Sequence, residues 1–184
     1  MLSDIPDDWQ HADIERALAF VRDFGLAVDG GAHRGVVTAK LARHFERVVA
    51  IEPGPRADRI TGAQVVRAAL GSEPGRCGMA DGRWNTEQRH VVPGDEVEVA
   101  TLDSLGLAPG FVKLDVEGCE LAALIGGEQT IRTHRPVVML EENGLNRRYG
   151  VEDGACQRLL EAWGARLVLT MNGEAPDRDL VFAW

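Results

Sequence analysis

Two kinds of apolar pattern alternate along this chain. Short, nearly continuous apolar runs end at glycine, proline or acidic residues, as buried strands do. Between them, apolar residues recur every three or four positions, as on one face of a helix. Strands are predicted at residues 26–29, 47–51, 64–70, 111–116, 136–140, 165–170 and 180–183. Helices are predicted at residues 10–24, 35–45 and 56–60, in a segment that ends before Pro136, and at 151–163. This alternation predicts an α/β fold, a mostly parallel sheet with helices on both faces.

Residues 72–102 and the C-terminus depart from the alternation. We interpret 72–102 as an inserted hairpin, with antiparallel strands joined through Trp84 and a Pro93-Gly94 turn. It would lie as a lid over the carboxyl ends of the parallel strands, with Trp84 either in the lid or packed as an ordinary aromatic. The last two strands flank Asn172-Gly173, a turn signal that predicts a hairpin and one antiparallel C-terminal strand. Residues 1–184 are predicted to form a single domain.

The stretch LAVDGGAHRG, residues 26–35, has the form of a strand, a tight turn and the start of a helix. Its two adjacent glycines let the backbone approach a ligand without a Cβ in the way. The next predicted strand ends in Glu52, about 20 residues later, where nucleotide-binding folds place the acidic residue that binds a ribose. The turn and Glu52 together predict an adenosine-type cofactor site. The alternative is an ordinary strand–helix turn, which Glu52 at this distance disfavours.

The glycine spacing disfavours a dinucleotide. NAD(P) folds use G-x-G-x-x-G, whose backbone amides wrap a pyrophosphate. Here Gly31 is followed by Ala32, His33 and Arg34 before Gly35, so the fingerprint fails. The pattern D-x-G-x-x-x-G is instead similar to the first motif of S-adenosylmethionine (SAM) methyltransferases.

Composition and charge exclude several other classes. The net charge is −9 and no long basic run is present, which disfavours generic binding to nucleic-acid backbones. No apolar run approaches the length of a membrane span, and the acidic N-terminus lacks the form of a signal peptide. The three cysteines are far apart without C-x-x-C spacing, which predicts reduced thiols and no zinc site. We therefore expect a cytoplasmic protein; its oligomeric state is not indicated.

Acidic residues follow three of the predicted parallel strands. If those strands are neighbours, Asp29, Asp115 and Glu141 meet at one edge, where open α/β sheets bind ligands. Asp115 is predicted to lie beside the reacting group, as a base or as the partner of a cation; its alternative role is to fix its own turn. Glu141 and Asn143 alternate, so both are expected to face the site. Glu117 is either a further carboxylate of the pocket or an acceptor for amides at the next helix start, with the second role favoured.

Six stretches resemble the FkbM-type family of SAM-dependent methyltransferases, in the expected order and across nearly the whole chain. They are VDGGAHRGVVT (28–38), IEPGP (51–55), AALG (68–71), TLDSL (101–105), VKLDVEGCELAALIGG (112–127) and PVVMLEEN (136–143). The D-V-E-G-x-E-x-x-x-L-x-G run is the most specific, whereas many methyltransferases share the first motif. The chain departs from the family at His33, where Asn is common, so contacts to the methionine end of SAM are expected to differ.

The resemblance implies a class I, Rossmann-like methyltransferase that binds SAM and methylates a hydroxyl of a sugar, natural product or similar small acceptor. It implies cofactor contacts from Asp29, Gly31, Ala32, His33, Gly35, Thr38, Glu52, Pro53, Ala69 and Asp115. Together with the strand ends, it assigns catalysis to Asp115, Glu117, Glu141 and Asn143. A hydroxyl acceptor has to lose a proton, which requires a base or a metal. Asp115, a second acid and Asn143 are a conceivable Mg²⁺ site, but we do not expect one.

Two other functions are compatible with the sequence. A binding module with the methyltransferase fold but no catalysis would keep the same motifs, with Asp115 and Glu141 in structural roles. An NAD(P)-dependent oxidoreductase is less compatible, because the fingerprint is absent. The sequence decides neither the acceptor nor O- against N-methylation.

Overall fold

A computed structural model describes residues 11–81, 89–171, 173 and 178–184 of the chain. The strands are β1 (Leu26–Gly30), β2 (Arg47–Ile51), β3 (Gln64–Val66), β4 (Ala69–Leu70), β5 (Gly75–Ala80), β6 (His90–Ala100), β7 (Phe111–Leu114), β8 (Val137–Glu142), β9 (Arg166–Met171) and β10 (Arg178–Ala183). The helices are α1 (His11–Leu18), α2 (Val36–Leu41), α3 (Glu120–Ile125), α4 (Glu128–His134) and α5 (Ala155–Ala162). Short 3-10 turns occupy Pro55–Arg59, Asp103–Leu105 and Leu145–Tyr149. Within the described ranges, no helix has the length and apolar character needed to cross a bilayer.

Seven strands form the main sheet in the order β3-β2-β1-β7-β8-β10-β9. From β3 to β8 every neighbouring pair is parallel, and β10 runs antiparallel to both β8 and β9. The direction of chain progression reverses between β1 and β7, which is the switch point where α/β sheets bind ligands. The predicted α/β fold and antiparallel C-terminal strand are therefore confirmed.

Helices cover both faces of the main sheet. Successive residues of a strand point to opposite sides, so each strand contributes side chains to the core on both faces. Leu26 and Val28 of β1 belong to the core that includes residues of α3, α4 and α5. Ala27, between them, belongs to the core that includes residues of α1 and α2. Strands buried on both faces are nearly continuous apolar runs, and this accounts for the sequence pattern.

β4, β5 and β6 form a second sheet in the order β4-β6-β5, with β6 parallel to β4 and antiparallel to β5. The prediction of a single strand at 64–70 is wrong, because this stretch forms two strands: β3 joins the main sheet and β4 joins the second one. The predicted Pro93-Gly94 turn is also wrong, because both residues lie inside β6. A Cβ on Gly94 would lie 2.7 Å from backbone atoms of Gly78, so this glycine permits close strand contact. Trp84 lies outside the described residues, and the lid stays a prediction.

Several predicted helices are shorter than expected. α1 ends at Leu18, where the Phe20 amide bonds the Ala17 carbonyl at 3.2 Å in a tighter turn. The helix predicted before Pro136 is divided into α3 and α4 at Gly126. A Cβ there would lie 2.1 Å from the carbonyl oxygen of Gly71, so the break is fixed by contact with the turn after β4. α2 ends at Leu41 and α5 begins at Ala155, inside their predicted limits.

Candidate functional site

The turn after β1 brings together backbone atoms from three strands. Gly31 has a φ of +77°, and its amide donates to the carbonyl of Ile51 at 2.9 Å. A Cβ built on Gly31 would lie 1.8 Å from the carbonyl oxygen of Asp115. Because the loop after β7 lies so close, only glycine fits at position 31 in the turn after β1. From sequence, this glycine was attributed to the approach of a ligand alone.

Glu52, just after β2, holds this turn through both of its carboxylate oxygens. Oε2 accepts from the amide of His33 at 2.9 Å, and Oε1 accepts from the amide of Gly54 at 2.7 Å. His33 has a φ of +52°, and the Arg56 guanidinium hydrogen-bonds its ring. Each carboxylate oxygen has a second lone pair, so Glu52 keeps acceptor capacity for ribose hydroxyls. Two predicted cofactor residues thus meet, together with Arg56, which sequence reasoning did not identify.

Asp29, in β1, is fully buried and has two partners. Its Oδ2 accepts from the hydroxyl of Thr38 at 2.6 Å, and its Oδ1 lies 3.7 Å from Nζ of Lys113. Lys113 also donates from Nζ to Oδ2 of Asp115 at 3.1 Å. One ammonium group thus joins two carboxylates from neighbouring strands. Lys113 was missed from sequence; the available signal was a lysine inside the otherwise apolar FVKL run of a predicted strand.

Strand register explains why these charges meet. Asp29 pairs with Lys113 across β1 and β7, and Asp179 pairs with Glu141 across β10 and β8. Because strand side chains alternate, Asp29, Lys113, Asp115 and Glu141 share the sheet face that earlier in each strand packs against α1 and α2. Burial disfavours the ammonium form of Lys113, but the charges of Asp115 and Asp29 outweigh this and raise its pKa. The apolar face therefore becomes a charged one at the carboxyl ends.

Glu141, in β8, lies beside Asp115, which follows the neighbouring strand β7. Burial, and then the charge of Asp115 and its hydrogen bond, raise the pKa of Glu141 well above its ordinary value. Nδ2 of Asn143 donates to Oε2 of Glu141 at 2.6 Å, while its Oδ1 accepts from the Leu145 amide at 3.1 Å. The cluster thus pairs Asp115, which accepts from the Lys113 ammonium, with Glu141, whose raised pKa favours its protonated form.

Glu120, and not Glu117, accepts the amides of the loop after β7. Oε1 of Glu120 accepts from the amides of Val116 at 2.9 Å and Gly118 at 3.2 Å. Glu117 has a φ of +56°, and its buried Oε2 has no hydrogen-bond partner among the described residues. Burial, the charge of Asp115 and that of Glu120 raise the pKa of Glu117 to about 7.

The remaining predicted cofactor residues lie in the turns after β1 and β2 and in β4 of the second sheet. Gly35, with a φ of +85°, precedes α2, and Ala32 is buried in the turn before it. Pro53 directly follows Glu52, and Ala69 is buried in β4. Across the ranges that the structure covers, no three His, Cys, Asp or Glu side chains form a group that would hold a metal ion.

Comparison with known proteins places this geometry in a family. The family model described as the methyltransferase FkbM domain matches residues 29–167. A search of curated proteins gives no match. The fold is similar to that of methyltransferase FkbM from Methylobacillus flagellatus KT, with a TM-score of 0.60 and 20% identity over 91% of this chain. The chain covers only 50% of that protein, so it spans about half its length.

Two further solved structures have the same fold with different reactions in their names. Precorrin-6y C5,15-methyltransferase from Geobacter metallireducens GS-15 gives a TM-score of 0.56 at 15% identity, covering 95% of this chain and 86% of that one. N-methyltransferase NodS from Bradyrhizobium japonicum WM9 gives 0.54 at 15% identity, covering 98% and 97%. The fold therefore does not decide which atom accepts the methyl group.

Proposed function

Because this chain belongs to the FkbM methyltransferase family, we propose that it transfers a methyl group from SAM to a hydroxyl oxygen of a small, uncharged acceptor. The observation that carries this proposal is the placement of Asp115, bonded to Lys113, and Glu141, bonded to Asn143, at adjacent strand ends beside the switch point of the sheet. A hydroxyl has to lose its proton during methylation, and a carboxyl group placed beside it is suited to receive that proton.

The residues present fit SAM. The turn at Gly31, the acidic Glu52 and the buried Asp29, whose Oδ1 lacks a hydrogen-bond partner among the described residues, are the groups that would hold it. When bound, SAM supplies an electrophilic methyl group on a positively charged sulfur. No diphosphate-binding glycine pattern is present at this turn, which supports SAM over NAD(P).

The chain's own residues would orient the acceptor and receive its proton. Lys113 holds the Asp115 carboxylate in place through the 3.1 Å hydrogen bond. Asn143 orients Glu141 on the acceptor side through the 2.6 Å hydrogen bond. Most of the rate enhancement would come from alignment of the hydroxyl oxygen behind the methyl group, since the displacement is in line. An uncharged acceptor suits a site in which carboxylates already balance cationic groups.

Calorimetry and labelled methyl transfer test this proposal. We expect SAM and S-adenosylhomocysteine to bind and NADH not to bind. Incubation with methyl-labelled SAM and cell extract should give labelled small molecules with the acid-stable linkage of an ether. NADH binding without SAM binding would contradict the cofactor, and label on nitrogen would contradict the O-methylation. Tight SAM binding without any transfer to extract or to a panel of hydroxylated compounds would favour the non-catalytic binding module.

A further inference from the structure

Three buried side-chain atoms lack a hydrogen-bond partner among the described residues: Oδ1 of Asp29, Nδ1 of His90 and Oε2 of Glu117. Buried polar atoms in native proteins are nearly always paired, so each exception requires an explanation. The Asp29 atom faces Lys113 within the cofactor site, at 3.7 Å. The other two lie outside that cluster, on the first residue of β6 and in the loop after β7.

The charge of Arg148 acts on both His90 and Glu117. The charge of Arg148 lowers the pKa of His90, after the larger effect of burial, and it opposes the rise in the pKa of Glu117. The backbone brings the segments of Glu117 and Arg148 together: a Cβ on Gly118 would lie 2.7 Å from backbone atoms of Leu145, so the loop that carries Glu117 packs against the 3-10 turn that carries Arg148. The three residues come from β6, the β7 loop and the 3-10 turn Leu145–Tyr149, so the fold brings together chemistry that is distant in sequence.

A hydrogen bond fixes this arrangement. The hydroxyl of Tyr149 donates to the carbonyl of Val91 at 3.0 Å, across 58 residues of sequence. Tyr149 follows Arg148, and Val91 follows His90. The bond therefore joins the 3-10 turn that carries Arg148 to strand β6, which carries His90. The second sheet is thereby attached to the site side of the main sheet.

Glu117 is available for a ligand because another residue has taken its structural role. Glu120 accepts the amides of Val116 and Gly118, so the loop does not need the carboxylate of Glu117. The positive φ of Glu117, +56°, is strained for a residue with a side chain and is common at functional sites. Glu117 lies only two residues after Asp115 in this loop, and the charge of Asp115 contributes to the rise in its pKa.

We propose that His90, Glu117 and Arg148 form the acceptor subsite, and that it binds an uncharged hydroxylated ligand with a hydroxyl that donates to Oε2 of Glu117. This inference rests on the proposed methyl transfer and adds the residues that select the acceptor. Nδ1 of neutral His90 accepts from or donates to a second hydroxyl according to its tautomer. Arg148 is exposed and donates to hydroxyl oxygens at the mouth of the subsite.

The charges around the subsite favour this class of ligand. An anionic ligand would face Asp115 and, above its pKa of about 7, the charged form of Glu117, and a cationic ligand would face Arg148. A hydroxyl is both a donor and an acceptor, so it satisfies a carboxylate oxygen and a guanidinium without adding charge.

Three sugars that differ in charge test the subsite: D-glucose, D-glucuronate and D-glucosamine. Each is titrated against protein saturated with S-adenosylhomocysteine, and NMR follows the Glu117 carboxyl carbon and the His90 ring. We expect glucose to shift both signals and to bind more tightly than either charged sugar. Glu117→Gln and His90→Phe should each weaken glucose binding about tenfold, the effect of one lost hydrogen bond. The matched exposed substitutions Glu128→Gln and His134→Phe should leave it unchanged.

No response of the Glu117 and His90 signals to any of the sugars would overturn the subsite. Tighter binding of glucuronate or glucosamine would overturn the uncharged class. If Glu117→Gln fails to fold, the signals of the parent protein still decide both points. If S-adenosylhomocysteine does not bind, the proposed methyl transfer fails separately, and the same titration on the free protein decides whether the subsite exists.

Discussion

The ammonium group of Lys113 lies 3.1 Å from Oδ2 of Asp115 and 3.7 Å from Oδ1 of Asp29, where only 4% of the lysine is exposed. Two carboxylates from neighbouring parallel strands would repel each other at this depth without a counterion. The charge of Lys113 therefore offsets the repulsion between the carboxylates of Asp29 and Asp115 in the cofactor site.

Lys113→Met should be strongly destabilising, because it leaves the buried carboxylate of Asp29 and the part-buried carboxylate of Asp115 without their cation. We expect a loss of about 3–5 kcal/mol in the free energy of unfolding, measured with urea. The exposed pair of Arg132 and Glu128 provides the control, since Arg132→Met should cost less than about 1 kcal/mol. Equal effects of the two substitutions would show that Lys113 is not an essential counterion.

Gly31→Ala tests the close approach of the β1 turn to the β7 loop. A Cβ there would meet the Asp115 carbonyl oxygen at 1.8 Å, whereas a Cβ on Gly150 would meet nothing within 4 Å. Both glycines have a φ near +75°, at +77° and +72°. An alanine in this left-handed conformation costs about 1–2 kcal/mol, and this cost is the same at both positions. We expect Gly31→Ala to cost more than this and to abolish SAM binding in calorimetry, and Gly150→Ala to pay only the shared penalty. A Gly31→Ala protein with normal SAM binding would contradict the geometry.

The parallel sheet and the neighbouring carboxyl ends were predictable because they depend on local pattern. Apolar runs that end in Asp29, Asp115 and Glu141 indicate strands, and parallel strands place such ends at one edge. The antiparallel C-terminal strand followed from the turn signal between the last two runs.

The register between strands was not predictable, and the unpredicted parts of the site depend on it. Lys113 matters because it lies opposite Asp29, which only the pairing of β7 with β1 shows. Glu120 and Glu117 have the same chemistry three residues apart, and only the loop geometry decides which of them accepts the amides. His90 and Arg148 are distant in sequence, and the hydrogen bond from Tyr149 to Val91 joins the segments that carry them. The Pro93-Gly94 pair has a turn composition but supports a close strand contact.

Glu117 should make stability depend on pH. Its pKa is raised from 4.5 to about 7 by burial and by Asp115, so between these values the folded protein binds a proton that the unfolded chain has released. Stability therefore falls as the pH rises from about 4.5 to 7 and is level above that range. Glu117→Gln removes the penalty, and we expect a gain on the order of 1 kcal/mol at about pH 8, after allowance for solvent screening, and little at about pH 4. Urea unfolding at both pH values, with Glu128→Gln as the control, measures this; a gain that is the same at both would contradict it.

Glu52→Ala should weaken SAM binding because it removes charge-assisted hydrogen bonds to the ribose, worth about 1.5–3 kcal/mol in general. It also removes the acceptor for the amides of His33 and Gly54, so the turn itself is affected. Glu52→Gln keeps one oxygen acceptor and should weaken binding less. Calorimetry with SAM on both variants, with the exposed Glu46→Ala as the control, should give that order, and equal affinity in all three would exclude a role for Glu52.

Asp115→Asn tests the proposed chemistry at the switch point. It keeps the shape of the side chain but removes its charge and basicity, so the hydrogen bond that Asp115 accepts from Lys113 weakens and its charge no longer acts on Glu141. If Asp115 acts in proton transfer, kcat for labelled methyl transfer should fall by about 10²–10⁴-fold. The exposed Asp95→Asn is the control and should be unaffected.

The same variant separates carboxylate catalysis from a metal-dependent reaction. With a carboxylate pair as the proton carrier, neither added Mg²⁺ nor a chelator should change the rate of the parent enzyme, and Mg²⁺ should not restore Asp115→Asn. If the chelator abolishes parent activity and Mg²⁺ restores it, the acidic groups act as oxygen ligands of the metal. Near-normal turnover of Asp115→Asn without any metal dependence would show instead that Asp115 only fixes its turn. In that case the acceptor proton has to go elsewhere, and Glu117, whose Oε2 has no partner among the described residues, is the next carboxylate to replace.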